Sequence, residues 1–190
     1  MKKLNKKGFT LIELLAVVVI LAILVTVSVP AVVKYLGTAR RETYATNALR
    51  AIDAAKTDYV NKGYTGIKYY TLDENDHDST ERNSDGRIYL NDLLEKKLNN
   101  SPYGEKLVVG STGSYIKAES TYDATTRQTT TTFSICLVDT AGNAVAAATT
   151  NASDGKITAL NLIDEATLSA DNTYANVHVS SGILVCPPIP

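Results

Sequence analysis

From Phe9 to Val33 the chain holds a single charge, the carboxylate of Glu13, in a run of 25 residues that is otherwise apolar or small. As a helix this run measures about 37 Å at the α-helical rise, enough to cross a bilayer core of ~30 Å. Lys2, Lys3, Lys6 and Lys7 crowd its N-terminal flank, and only Lys34, Arg40 and Arg41 follow it closely. The positive-inside rule therefore puts Met1 in the cytoplasm and the bulk of the chain outside.

Glu13 lies one turn inside the run, where a carboxylate in lipid needs compensation. One reading lets it snorkel toward the headgroups. The other pairs it with a cation, and a cut after Gly8 would supply one as the free α-amine of Phe9. A helix starting at Phe9 puts that amine close to its own Glu13 and equally within reach of a neighbour's.

Gly8-Phe9-Thr10-Leu11-Ile12-Glu13 stands behind a short lysine-rich leader and ahead of a long apolar helix containing Pro30. It closely resembles the type IV prepilin signature, and the motif resemblance covers roughly residues 1–60. The resemblance implies that a membrane-bound prepilin peptidase removes leader 1–8 by cutting between Gly8 and Phe9 and methylates the new amine of Phe9. It implies that Glu13 neutralises the Phe9 amine of a neighbouring subunit in a helical homopolymer, built by an inner-membrane assembly platform with its ATPase. Pro30 lies where the packed helix of this family can lose regularity. The fold implied is α+β and pilin-like, a long N-terminal α-helix whose C-terminal half packs on an antiparallel β-sheet. The function implied is that of a structural subunit, the major pilin of a type IV pilus, serving adhesion, motility or related surface functions. Such a subunit resides in the cytoplasmic membrane as a prepilin and at the cell surface once assembled.

Within the same class stand a minor pilin and a pseudopilin of a type II secretion or competence system. The mature length of 182 residues and the retained Glu13 favour a shaft subunit, as the resemblance implies. From a different class, Thr26-Val27-Ser28 after an apolar core also describes a secretory signal, which would release a soluble binding protein starting near Val29. An uncut membrane anchor is a third alternative. The secretory and anchor readings leave Glu13 without a purpose.

Behind the filament-core helix at 9–33, residues 34–62 read as an amphipathic continuation. Ala45, Ala48, Leu49, Ile52, Ala55, Tyr59 and Val60 recur at spacings of three and four, and this half should cover a sheet. Arg40, Arg41 and Glu42 read as a solvated face. Gly37 weakens the helix locally, and with Pro30 it marks where a bend is expected. Asn61-Lys62-Gly63 supplies a stop. A continuous helix from Phe9 to Lys62 would measure about 80 Å, which a filament needs and a compact domain does not.

Residues 63–190 make the extracytoplasmic head. In its loop region, 63–113, the stretch 81–92 has a calcium-loop cadence: oxygen side chains at the first, third and fifth places, Gly86 sixth, Ile88 eighth and Asp92 twelfth. Glu81 replaces the usual first aspartate and Asp92 the usual glutamate. The competing reading is a turn at Asp85-Gly86 and a short helix from Asn91 through Leu98. In the sheet region, 114–190, strands are expected at Ser114–Glu119 and Thr129–Asp139, joined by a connection over Thr121–Gln128. Phe133, Ile135 and Leu137 share one face, which should pack on the Leu49/Ile52/Tyr59 stripe. Thr140–Gly155 reads as a surface loop. Lys156–Ile163 and Tyr174–Cys186 read as further strands, with a loop or short helix at Asp164–Asp171.

Cys136 and Cys186 are the two cysteines. In an exported domain their pairing is expected, and members of the resembled family often bound a variable C-terminal region in this way; two buried free thiols are the alternative. His77 and His178 have no recognisable catalytic or metal-ligand pattern, so neither an enzyme nor a cofactor is expected. Without residues 1–8 the chain carries 15 basic against 20 acidic side chains, a formal net charge of −5. Nothing in that balance indicates nucleic acid, although type IV filaments that take up DNA exist and acidity alone does not rule out DNA as a partner.

Overall fold

Among the described residues one α-helix, α1 (Leu11–Asn61), occupies the first third of the chain, and eleven short to medium strands follow it. The computed structural model describes residues 10–72, 87–110, 112–150, 157–174, 178–179, 182–183 and 185–189. The chain divides into two compact units, Met1–Ala39 and Arg40–Pro190.

In the first unit α1 exposes apolar side chains all round, from Leu11 to Leu36. A helix apolar on every side is stable only inside other protein or in lipid. Its few polar groups turn inward: Thr26 Oγ1 donates to the carbonyl of Ala22 at 2.8 Å and Ser28 Oγ to that of Leu24 at 2.7 Å. Pro30 lies inside the helix and withholds the N–H that the carbonyl of Thr26 would accept.

In the second unit Tyr44, Ala45, Ala48, Ala51, Ile52, Ala55 and Tyr59 form the buried stripe of α1. Two members of the expected stripe lie off it: Leu49 is 36% and Val60 73% exposed. Tyr44 and Ala51 take their places. The stripe is mostly alanine because small side chains let the sheet approach closely, and Ile52 and the two tyrosines fill what remains. The helix ends in a Schellman motif. Tyr64 N–H reaches back to the carbonyl of Tyr59 and Gly63 N–H to that of Val60, with Gly63 left-handed at φ 63°. The rings of Tyr59 and Tyr64 meet edge to face at 5.9 Å, the apolar contact that accompanies this cap.

The main sheet has the order β2-β1-β3-β4-β5-β9, with β8 also paired to β4. Its strands are β1 (Ile67–Thr71), β2 (Arg87–Tyr89), β3 (Tyr115–Asp123), β4 (Gln128–Val138), β5 (Ala144–Val145), β8 (Ile163–Asp164) and β9 (Thr173–Tyr174). All pairings are antiparallel except β1 with β2. Two further ribbons form from β6 (Ala147–Thr150) with β7 (Ile157–Asn161) and from β10 (His178–Val179) with β11 (Gly182–Ile183).

Alternation along β4 divides the core. Phe133, Ile135 and Leu137 join the α1 stripe in one cluster, while Cys136 and Val138 join Tyr115, Ala144, Ala146, Leu160, Cys186 and Ile189 in a second on the opposite face. The cysteines form a disulfide that closes a separation of 50 residues. It ties the C-terminal segment to the face of the sheet turned away from the helix.

Four expectations need correction. The β3–β4 connection is only residues 124–127, because both strands run on into an exposed ribbon. Asp123 makes the tight turn workable: its carboxylate accepts from Thr125 N–H at 2.8 Å and Thr126 Oγ1 at 2.9 Å, which holds its pKa below the usual aspartate value. The short helix at Asn91–Leu98 is a single 3-10 turn at Leu90–Asp92, since the Asn91 side chain bonds Leu98 N–H and Asn99 and fixes an irregular loop. The described part of Thr140–Gly155 is no surface loop: Ala144, Val145 and Ala146 are fully buried, small residues chosen for a crowded interior. A central strand, β1, also runs through the region read as turns.

Residues 139–143 join β4 to β5; Asp139 N–H bonds the Asn143 carbonyl at 2.9 Å, which leaves a three-residue turn with Gly142 left-handed at φ 82°, the usual build for that length. Asp139 organises it from within. Fully buried, its carboxylate accepts from Ala141 N–H, Asn143 N–H, Asn143 Nδ2 and Ser101 Oγ. The last bond fastens the loop at residues 99–106 to the sheet.

Candidate assembly helix and its N-terminal carboxylate

The functional residues singled out from the sequence fall in different places. Gly8 and Phe9 lie outside the described residues, as do Glu81–Gly86 of the calcium-like stretch and His77. Pro30 is inside α1, and Cys136 and Cys186 belong to the second unit. His178 sits in β10. Among the described residues no three His, Cys, Asp or Glu side chains converge as metal ligands would. The described half of the calcium-like stretch is committed elsewhere, to β2 and to the Asn91 bonds.

Glu13 occupies the third position of α1, which begins directly after Thr10. Thr10 N–H and Thr10 Oγ1 both donate to Glu13 Oε2 at 2.8 Å, and Glu13 N–H returns a bond to Thr10 Oγ1 at 3.4 Å. This is a reciprocal capping box, in which the side chains at the N-cap and third positions each satisfy the other's backbone donor. Its sequence signal is Thr10 followed three residues later by Glu13, a spacing that the sequence reading did not use.

The box has a chemical consequence. Backbone N–H groups at a helix start concentrate partial positive charge, so the lone carboxylate sits where the helix itself offers compensation. Glu13 is still exposed and able to take a further cationic partner. Below it α1 is long and apolar enough to cross a membrane.

The family model described as the prokaryotic N-terminal methylation motif matches residues 3–29. The chain carries that methylation motif. It is the class III signal peptide of type IV pilins, and it supports a type IV pilin-like or pseudopilin precursor. The matched span contains Gly8, Phe9, Thr10 and Glu13 and ends one residue before Pro30. No curated protein and no solved structure matches the chain. The motif with an apolar helix fits a membrane-anchored precursor and a structural product in place of an enzyme.

Proposed function

We propose that this chain is the major subunit of a type IV pilus. The leader 1–8 is removed after Gly8 by a prepilin peptidase, and Phe9 is methylated. The helix at 9–33 leaves lipid to pack against its copies as an assembly platform and its ATPase add subunits. Residues 34–62 carry the head at 63–190, which faces outward.

The observation that supports this best is the methylation motif running directly into an all-round apolar helix whose one charge is placed at its first turn. In a filament the apolar helices replace lipid contacts by contacts with one another. Glu13 then meets the Phe9 amine of a neighbour, so that neither charge is left alone in the apolar interior. Pro30, with one backbone bond already missing, is the place where the packed helix bends or loosens.

Intact mass and N-terminal sequencing of the protein recovered from cells test the reading. A start at methylated Phe9 is expected. A start near Val29 would make the chain a secreted soluble protein, and an intact Met1 an unprocessed anchor; either overturns the proposal. Sheared surface fibres should consist chiefly of this chain, whereas trace amounts would assign it to a minor pilin or pseudopilin.

A further inference from the structure

The second unit contains a groove of about 390 Å³ between the polar side of α1 and the loop at residues 96–102. This is the size of small-molecule sites in general. Thr43, Asn47 and Arg50, spaced four and three apart on one helix face, form the first wall. Lys96, Lys97 and Asn99 stand on the second.

The second wall is built into the core. Leu98 and Ser101 are buried. Asn91 holds Leu98 N–H at 2.7 Å and the Asn99 side chain at 2.8 Å. Leu107 N–H bonds the Asn99 carbonyl at 2.9 Å, and Ser101 Oγ is anchored on Asp139. A ligand entering here meets a wall already in position.

The polar character of the lining is one-sided. Arg50, Lys96 and Lys97 carry positive charge, and among the described residues no carboxylate lines the groove, in a chain whose net charge without its first eight residues is −5. The side-chain oxygen of Asn47 accepts from Arg50 at 3.2 Å, and that of Asn99 accepts from Asn91. Both amides therefore keep their N–H groups for donation. Such a lining asks for a ligand rich in acceptors and negatively charged. Among the described residues no aromatic side chain lines the groove, so these walls offer no platform on which nucleobases stack. Pro102 adds a small apolar surface beside the donors.

We propose that this groove binds an anionic saccharide, a pyranose bearing a carboxylate as in the uronic acids. The carboxylate pairs with Arg50, Lys96 and Lys97, the ring hydroxyls accept from Asn47 and Asn99, and a C–H face of the ring rests on Pro102. The inference does not rest on polymerisation, because every residue of the groove belongs to one subunit.

The test is titration calorimetry of tetragalacturonate into the detergent-solubilised full-length chain, with neutral galactotetraose and oligothymidylate as comparison ligands. Tetragalacturonate should bind saturably and more weakly as salt is raised, and galactotetraose should not bind. Arg50→Gln, and Lys96→Gln with Lys97→Gln, should each weaken binding about tenfold, the scale of losing a charge-assisted hydrogen bond. These side chains are exposed, so thermal unfolding should be unchanged. Absence of saturable binding, equal binding by wild type and variants, or equal binding of the neutral sugar would overturn the proposal. Tighter binding of oligothymidylate through the same three cations would overturn it too, in favour of a phosphodiester polymer.

Discussion

Replacing Asp139 by alanine should destabilise the Arg40–Pro190 unit by about 3–5 kcal/mol. Its carboxylate is the acceptor for four donors, two backbone and two side-chain, at a fully buried position. A buried donor stripped of its acceptor costs roughly 1–3 kcal/mol. The sum is held down because Ser101 and Asn143 can turn their side chains, whereas the N–H groups of Ala141 and Asn143 are fixed by the hairpin. Asp139→Asn is the informative companion. It keeps the oxygen facing the two backbone N–H groups but sets an amide against Asn143 Nδ2, so a loss of about 1–2 kcal/mol is expected. Thermal and urea unfolding of the full-length chain in detergent, with the disulfide verified as intact, read both values. The alanine variant should melt on the order of 10 °C lower. If it unfolds within about 1 kcal/mol of wild type, in the range of ordinary surface changes, the four bonds do not carry the hairpin and the reasoning fails.

Glu13→Gln keeps the geometry of the capping box, since glutamine serves at that position, but removes the charge; Glu13→Ala removes both. Both variants should lose the leader normally and yield few fibres by shearing and electron microscopy, and abundant fibres from the glutamine variant would show that capping, not charge, is what assembly needs. Reducing the Cys136–Cys186 bridge, or replacing both cysteines by serine, frees a loop of 50 residues and should cost about 4 kcal/mol in the chain-entropy description; an unchanged urea midpoint with and without reductant would refute it. Burial raises the Tyr44, Tyr70 and Tyr115 hydroxyls above the ordinary tyrosine range, with Asp139, Asp58 and Tyr69 respectively adding to the effect. Because the folded state holds these protons longer than the unfolded one, stability is whole below the unfolded tyrosine pKa of ~10 and falls as pH rises past it. Ultraviolet titration should show tyrosines that ionise only with alkaline unfolding, and ionisation of all eleven in one ordinary step would contradict this.

The helix and its processing motif were legible because each rests on local signals: an apolar run, one misplaced charge, and a glycine stop. The face of β4 was legible for the same reason, since Phe133, Ile135 and Leu137 alternate. What escaped depends on partners distant in sequence. Ala144, Val145 and Ala146 resemble loop residues until β4 and β9 close over them. Asp139 resembles any turn aspartate until Ser101, 38 positions earlier, is brought beneath it. Tyr44 stands just outside the stripe expected from Ala45 onward, next to Arg40, Arg41 and Glu42, yet it is wholly buried with its ring against Tyr103 at 6.4 Å. Thr10 differs from these: its signal is local, a spacing of three from Glu13, but modest beside the charge that it caps.

The ribbon of β3 and β4 beyond the main sheet has a further consequence. From Thr121 to Thr132 every residue is exposed, among the described residues the two strands pair there only with each other, and the Asp123 carboxylate accepts two bonds from the turn. Arg127 tolerates φ 55° there without glycine. Nothing in either core cluster depends on the length of this tip, so extra residues set between Ala124 and Arg127 would leave the rest of the fold in register. In a polymer built from one kind of subunit, such an insertion is displayed once per copy, which makes this turn the natural place to graft a foreign epitope along a fibre.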